Sequence, residues 1–144
     1  MHKKLLVTAY FVIAALLQTL AGNFPLSFFA FPLNVIVAVI WIYSLWRLYK
    51  EGNKLPLTRF LLSSRTSVLS ILLLIGGSLV IGLFPQLSEA EADSMPGVLA
   101  SLGCYNFMTS WIFIAILFFL LSNLAMVVIH AFYHCVPAKK RFIL

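Results

Sequence analysis

The chain has 144 residues, of which 62% are hydrophobic and 10% charged, and its formal net charge is +6. A soluble domain carries about a quarter charged residues, so this composition excludes a water-soluble fold and indicates an integral membrane protein. The positive charge does not indicate nucleic-acid binding, because the Lys and Arg residues fall in three short clusters separated by apolar runs.

Four apolar segments follow one another along the chain, at about residues 5–21, 31–48, 66–84 and 107–130. The third is long enough to cross a hydrocarbon core about 30 Å thick. The sequence therefore predicts an all-α integral membrane protein with four antiparallel transmembrane helices. We expect an N-terminal helix pair with a basic cytoplasmic loop in residues 1–62, and a second helix pair with a basic tail in residues 63–144.

The first segment has a second interpretation as a cleaved signal peptide. It has a basic start, an apolar centre and a small residue, Ala21, at a plausible cleavage point. Cleavage would leave the rest of the topology unchanged, so the charges do not decide between the two. We expect the segment to be retained as a helix.

The charges of the loops predict the orientation. Five cations and a single acid, Glu51, lie around the loop after the second segment, and both ends of the chain are also basic. The loop between the third and fourth segments is acidic, and the loop between the first two is uncharged. Because cytoplasmic loops carry an excess of Lys and Arg, we expect both termini in the cytoplasm and the helices in the inner (plasma) membrane.

Several residues are predicted to shape the helices and their contacts. Gly77 and Gly82 give the third helix a small face for close helix packing, and Pro85 ends that helix. Trp111 marks the outer interface, and Asn123 offers a hydrogen bond between helices. In the acidic loop, Ser88 and Glu91 have the spacing of a capping box, which predicts a short surface helix.

His130 and His134 lie four residues apart and so share one face of a helix. The helix from Trp111 to His130 is roughly 28 Å long, which places His130 near the inner interface. Such a pair can hold one metal ion together with further ligands. It cannot supply both axial ligands of one haem, because the two imidazoles approach from the same side. We interpret the pair as polar groups that anchor a helix end, with His130 the candidate haem ligand and His134 a weaker one.

The sequence contains no nucleophile–base pair, phosphate loop or closed metal site. No ionisable group other than histidine is expected within a span, which counts against a proton-coupled transporter. Cys104 and Cys135 would lie roughly 45 Å apart along a helix, beyond the reach of a disulfide. We therefore expect that the chain alone is not an enzyme.

The second half of the chain carries a more specific pattern. "SSRTSVLSILLLIGGSLVIGLFPQ" (residues 63–86) is a Ser-bearing start that leads into a Leu-rich helix and a Gly-containing turn with Pro-Gln. "LGCYNFMTSWIFIAILFFLLSNLAMVVI" (residues 102–129) begins with an aromatic–Ser-Trp entry and continues to an Asn-Leu element. In this joint order, the two segments resemble the N-terminal helix pair of the ResB family, also called CcsB, of the system II route of cytochrome c biogenesis.

The resemblance implies a membrane accessory subunit that assists haem handling or delivery together with a CcsA-type membrane protein. It covers residues 63–129 only, so it implies a reduced form of the family. The helix histidine and the large extracytoplasmic domain of that family have no counterpart in the matched segments. The resemblance therefore does not assign haem ligation to His130 or His134, and any haem would be shared with the partner.

Two other functions are compatible with the sequence. One is a structural four-helix subunit of a respiratory or other membrane complex, without a role in haem handling. The other is a small transporter or a lipid-interacting protein.

Overall fold

The computed structural model describes residues 2–52 and 56–135, and within these ranges it contains helices and no β-strand. The α-helices are α1 (His2–Ala21), α2 (Leu33–Glu51), α3 (Pro56–Leu61), α4 (Ser64–Leu83), α5 (Glu89–Asp93), α6 (Val98–Ser101) and α7 (Trp111–Cys135). Two 3₁₀ helices, Leu26–Phe29 and Cys104–Thr109, lie in the connections. The predicted basic tail, Lys139 to Arg141, and Lys54 lie outside the described residues.

Three of the long helices, α2, α4 and α7, are long and apolar enough to span a membrane. They correspond to the second, third and fourth predicted segments. In α1, the apolar stretch Leu5–Ala21 is shorter. The all-helical architecture is thus confirmed, whereas four spans and the orientation stay predictions.

The last helix, α7, lies at the centre of the bundle, and α1, α2 and α4 each pack on it. The side chain of Met126 on this helix is fully buried. The contacts show that α1 and α4 run antiparallel to α7 and that α2 runs parallel to it, so successive long helices alternate in direction. The pairs that define these directions are Tyr10 with Ala115 and Gln18 with Trp111 for α1, Gly77 with Phe113 and Leu61 (just before α4) with Asn123 for α4, and Trp41 with Ser122 and Tyr49 with His130 for α2.

The start of α7 differs from the prediction by about one turn. The sequence predicts the fourth segment from residue 107, but residues Cys104–Thr109 form a 3₁₀ helix and α7 begins at Trp111. The hydroxyl of Ser110 accepts a hydrogen bond from the backbone N–H of Phe113, at 3.1 Å, as an N-cap does. Composition does not reveal this boundary, because Phe107 and Met108 continue the apolar run before Ser110. At the other end, α7 continues past residue 130 to Cys135.

The short helix expected in the acidic loop is confirmed as α5. The carboxylate of Glu91 accepts hydrogen bonds from the backbone N–H of Ser88 at 3.2 Å and from its hydroxyl at 2.6 Å. These two bonds stabilise the charged carboxylate and hold the pKa of Glu91 below its usual value. The predicted capping box therefore forms at the start of α5.

The bundle has two ends, which we name after the short helices that they carry. We call the end at which α3 connects α2 to α4 the α3 end, and the opposite end, which carries residues 22–32 and 84–110, the α5 end. Cations at the α3 end include Arg47, Lys50, Arg59 and Arg65.

Candidate functional site

The two candidate histidines lie in the last turns of α7, at the α3 end of the bundle. Both side chains are exposed. Their ring centroids are 4.3 Å apart, with the rings in an edge-to-face arrangement. The i, i+4 spacing thus places His130 and His134 side by side, as the sequence predicted.

His130 contacts α2 through the side chain of Tyr49. The hydroxyl of Tyr49 lies 3.1 Å from Nδ1 of His130, and the two ring centroids are 5.9 Å apart. Tyr49 also packs against Tyr133 at 5.3 Å, and the indole N–H of Trp46 donates to the hydroxyl of Tyr133 at 2.9 Å. We call Trp46, Tyr49, His130, Tyr133 and His134 the Tyr–His cluster. It joins the ends of α2 and α7 through polar tips on aromatic rings, the arrangement that suits a membrane–water interface.

The contact of Nδ1 with Tyr49 is compatible with two tautomers of His130, and the tautomer decides what the imidazole can bind. In the tautomer that carries its proton on Nδ1, the ring donates to the Tyr49 oxygen and Nε2 holds the free lone pair. A ligating histidine is commonly held in this way, because a hydrogen bond at one ring nitrogen fixes the tautomer and the ring orientation. In this tautomer, His130 fits the role of a single ligand to a metal or a haem iron.

The same geometry excludes His130 and His134 as the two axial ligands of one haem. His130 and His134 stand on one face of α7 with their rings in contact, so both cannot lie on opposite sides of one haem plane. Within residues 2–52 and 56–135, no three side chains of His, Cys, Asp or Glu come together in a way that could hold a metal ion. A haem at His130 would need its second ligand from elsewhere.

One cation lies beside Trp46 of the Tyr–His cluster. Lys50 follows Tyr49 in α2, and its Nζ lies 4.7 Å from the centroid of the Trp46 ring, in a cation–π contact. Arg47 pairs with Glu51 one turn away on the same helix. This end of α2 would therefore favour an anionic group beside the Tyr–His cluster.

The two predicted packing glycines have different surroundings. Gly77 is buried, and a Cβ at this position would lie 3.4 to 3.5 Å from Phe107, Phe113 and Ile116. Gly82 has no atom within 4 Å of such a Cβ. Within the described residues, the small face of α4 thus serves packing at Gly77 and is open at Gly82. Pro85 is exposed and follows the end of α4 at Leu83.

Asn123 makes the hydrogen bond that was predicted, with a partner that the sequence did not indicate. Its side-chain amide is 4% exposed and donates to the backbone carbonyl of Leu61 at 2.5 Å. Leu61 is the last residue of α3, where carbonyl groups have no partner within the helix. Asn123 therefore anchors the short connecting helix to α7.

Trp111 lies where the α5 end meets α1. Its ring packs edge-on against Phe24, with centroids 4.8 Å apart, and its buried indole N–H has no hydrogen-bond partner in the described part of the chain. Its backbone N–H donates to the side-chain oxygen of Gln18 at 2.8 Å.

Two glutamines make structural hydrogen bonds that the sequence did not predict, although Gln86 belongs to the Pro-Gln pattern of residues 63–86. Gln18 is 4% exposed, and its amide satisfies the first N–H of α7, a donor that a helix leaves without a partner. Gln86 accepts a hydrogen bond from the backbone N–H of Phe107 at 3.0 Å and donates to the carbonyl of Cys104 at 3.2 Å. The available signal was an isolated amide inside or next to an apolar run, where a polar side chain needs a partner.

Comparison with known proteins adds no relative: no family model, no protein of curated function and no solved structure matches the chain. The resemblance to the ResB family therefore stays a prediction that depends on the residues of the two matched segments.

Proposed function

We propose that the chain is a ResB-like membrane accessory subunit that assists haem handling or delivery in cytochrome c biogenesis, together with a CcsA-type partner. In this proposal the four long helices are antiparallel spans, both termini are cytoplasmic, and the Tyr–His cluster lies at the inner interface. The observation that carries the haem part is the hydrogen bond between Tyr49 and His130, because it orients the imidazole of a histidine whose side chain is exposed.

The chemistry of this site suits a transient haem contact. Imidazole nitrogen is a common axial ligand of haem iron, and a hydrogen bond at Nδ1 raises the basicity of the ligating Nε2. Haem also carries two propionates, and Lys50 supplies a cation next to the cluster. Because His130 supplies one ligand and the site is exposed, the second ligand and the enclosing walls would come from the partner protein.

The proposal is tested by absorption spectroscopy of the protein purified in mild detergent, alone and coexpressed with a CcsA-type protein. We expect a Soret band in the coexpressed sample that is lost or strongly weakened in His130→Ala. The matched control is His134→Ala, which removes an equal imidazole from the same helix face and should keep the band. Tyr49→Phe should keep bound haem but change its reduction potential, because it removes the hydrogen bond at Nδ1 and leaves the ligand in place.

Two results would contradict the haem role. One is the absence of haem from every sample in which the partner is verified to be present. The other is a Soret band of equal intensity in wild type, His130→Ala and His134→Ala.

The second candidate is a structural subunit of a respiratory or other membrane complex without a haem role. A specific observation favours it: Tyr49, Tyr133 and Trp46 hold α2 against α7 by contacts that require no ligand. In this case His130→Ala should leave the spectrum unchanged, and the chain should copurify with an oxidoreductase rather than with a CcsA-type protein.

A further inference from the structure

The connection between α1 and α2 has an exposed apolar surface. We call residues 24–32 the aromatic connection, because they contain four phenylalanines and no charged residue. Its large exposed side chains are Leu26, Phe28, Phe29 and Phe31. The other connection at the α5 end, residues 84–110, instead carries three acids. A contiguous apolar surface outside a protein core marks contact with lipid or with another protein.

The helices on either side of the aromatic connection are too short to cross a bilayer by themselves. The apolar stretch of α1, Leu5–Ala21, is about 25 Å long at 1.5 Å per residue. The uncharged part of α2, residues 33–46, ends before Arg47 and is about 21 Å long. A hydrocarbon core about 30 Å thick exceeds these lengths by about 5 to 9 Å. If the charged ends of both helices lie at one interface, the aromatic connection lies at the depth that completes the crossing.

Phe24 holds the aromatic connection against the start of α7. Its backbone N–H donates to the carbonyl of Thr109 at 2.7 Å, and its ring packs on Trp111 with the centroids 4.8 Å apart. The rings of Phe28 and Phe29 lie 5.8 and 5.4 Å from the ring of Phe24, and about half of each side chain is exposed. The phenylalanines are thus supported from the protein side and open on the other side, at the level of a tryptophan, a residue typical of membrane interfaces.

The backbone of the aromatic connection is suited to an apolar surrounding. A backbone N–H in hydrocarbon needs a partner within the protein, because no water is present there. Two of the nine residues are prolines, which have no N–H. The N–H groups of Phe28 and Ala30 donate to carbonyls of the same connection at 3.2 and 3.1 Å. Together with the bond of Phe24, more than half of the backbone nitrogens therefore need no bond to water.

We propose that the aromatic connection inserts into the acyl chains of the leaflet at the α5 end. Its partner is the hydrocarbon of the lipid and not a head group, because the connection carries no charge. Lipid is favoured over a protein partner because the surface continues into the exposed apolar side chains of the adjoining helices, at Leu20 of α1 and Leu33 of α2. The proposal rests on the spanning arrangement of α1 and α2 in the proposed function, and it is independent of the haem role of His130.

The test is electron paramagnetic resonance of spin labels on the full chain in phosphatidylcholine vesicles. The native thiols are removed by Cys104→Ser and Cys135→Ser, and single labels are placed at Leu26→Cys and Phe31→Cys. Leu26 is 57% exposed and Phe31 is 83% exposed, so these changes remove little packing. For each label, collision with oxygen, which concentrates in hydrocarbon, is compared with collision with a water-soluble nickel chelate.

Two exposed positions provide the matched controls. Val12→Cys lies in the middle of α1, and Ala90→Cys lies on α5 in the acidic connection. We expect the labels at Leu26 and Phe31 to resemble the label at Val12, with strong collision with oxygen and loss of collision with the chelate. The label at Ala90 should show the opposite pattern. Phosphatidylglycerol vesicles should give the same result, and circular dichroism checks the helical content of each variant.

Three results would overturn the proposal. Collision with the chelate at Leu26 and Phe31 as strong as at Ala90, with Val12 protected, would place the connection in water and leave the spanning arrangement intact. Collision with the chelate at Val12 as well would overturn the spanning arrangement, and this proposal with it. Dipolar broadening between the Phe31 labels of two chains would assign the surface to a second copy of the chain.

Discussion

The contact of Gly77 with the residues around α7 gives a sharp test of the fold, because two adjacent glycines of α4 face different surroundings. Gly77 is buried, and a Cβ added there would touch Phe107, Phe113 and Ile116 at 3.4 to 3.5 Å. Gly76 is exposed and has no atom within 4 Å of such a Cβ. A large side chain at the two positions should therefore have opposite effects on stability.

The expected magnitudes follow from these distances. Gly77→Ala adds a methyl at ordinary van der Waals contact and removes the helix penalty of glycine, so it should stabilise by about 0.5 to 1 kcal/mol. Gly77→Leu adds three more carbons to space that is already filled, and such overpacking costs about 1 to 3 kcal/mol. Gly76→Leu meets no neighbour within the described part of the chain and should be neutral or stabilising.

The free energy of unfolding can be measured by titration of sodium dodecyl sulfate into micelles of a mild detergent, followed by circular dichroism. Phe107→Ala should restore part of the stability of Gly77→Leu, because the two side chains compete for one space and their effects are coupled. Equal stability of Gly77→Leu and Gly76→Leu, without coupling to Phe107, would refute the packing of α4 on α7 through Gly77.

Three further predictions concern the α5 end and the orientation. Gln18→Leu should destabilise the fold by about 1 to 3 kcal/mol, because it leaves the partly buried N–H at the start of α7 without its acceptor. A change below the error of the detergent titration would argue against this role. Ser88→Ala should raise the pKa of Glu91, which carboxyl NMR can follow, because the Ser88 hydroxyl donates one of the two bonds that lower it. In wild type, the stability contributed by the charged Glu91 carboxylate is present above the unfolded pKa and is lost as the pH falls through the folded pKa. Cys104 and Cys135 lie at opposite ends of the bundle, so an impermeant maleimide should label Cys104 from outside the cell and Cys135 in inverted vesicles only. Burial raises the pKa of the Cys104 thiol and should slow its reaction; labelling of both cysteines from the same side would contradict the proposed topology.

Several features could be predicted from the sequence because they depend on neighbours along the chain. Long apolar runs predict helices, and the positions of α2, α4 and α7 agree with them to within a few residues. The short helix α5 could be predicted because Ser88 and Glu91 cap it locally. The side-by-side placement of His130 and His134 follows from helical spacing alone.

The partners of these elements depend on contacts between residues far apart in the chain, and only the tertiary structure decided them. The faces of α7 are all apolar, so no pattern indicated that it would lie at the centre or that Gly77, unlike Gly82, would contact it. Asn123 needed a hydrogen-bond partner by its chemistry, but the carbonyl at the end of α3 became that partner through folding. Likewise, His130 could be placed near a helix end from the sequence, whereas its orientation by Tyr49 required α2 to return alongside α7. Local composition determines which segments are helical; the need to satisfy buried polar groups and fill space between helices decides which of their faces meet.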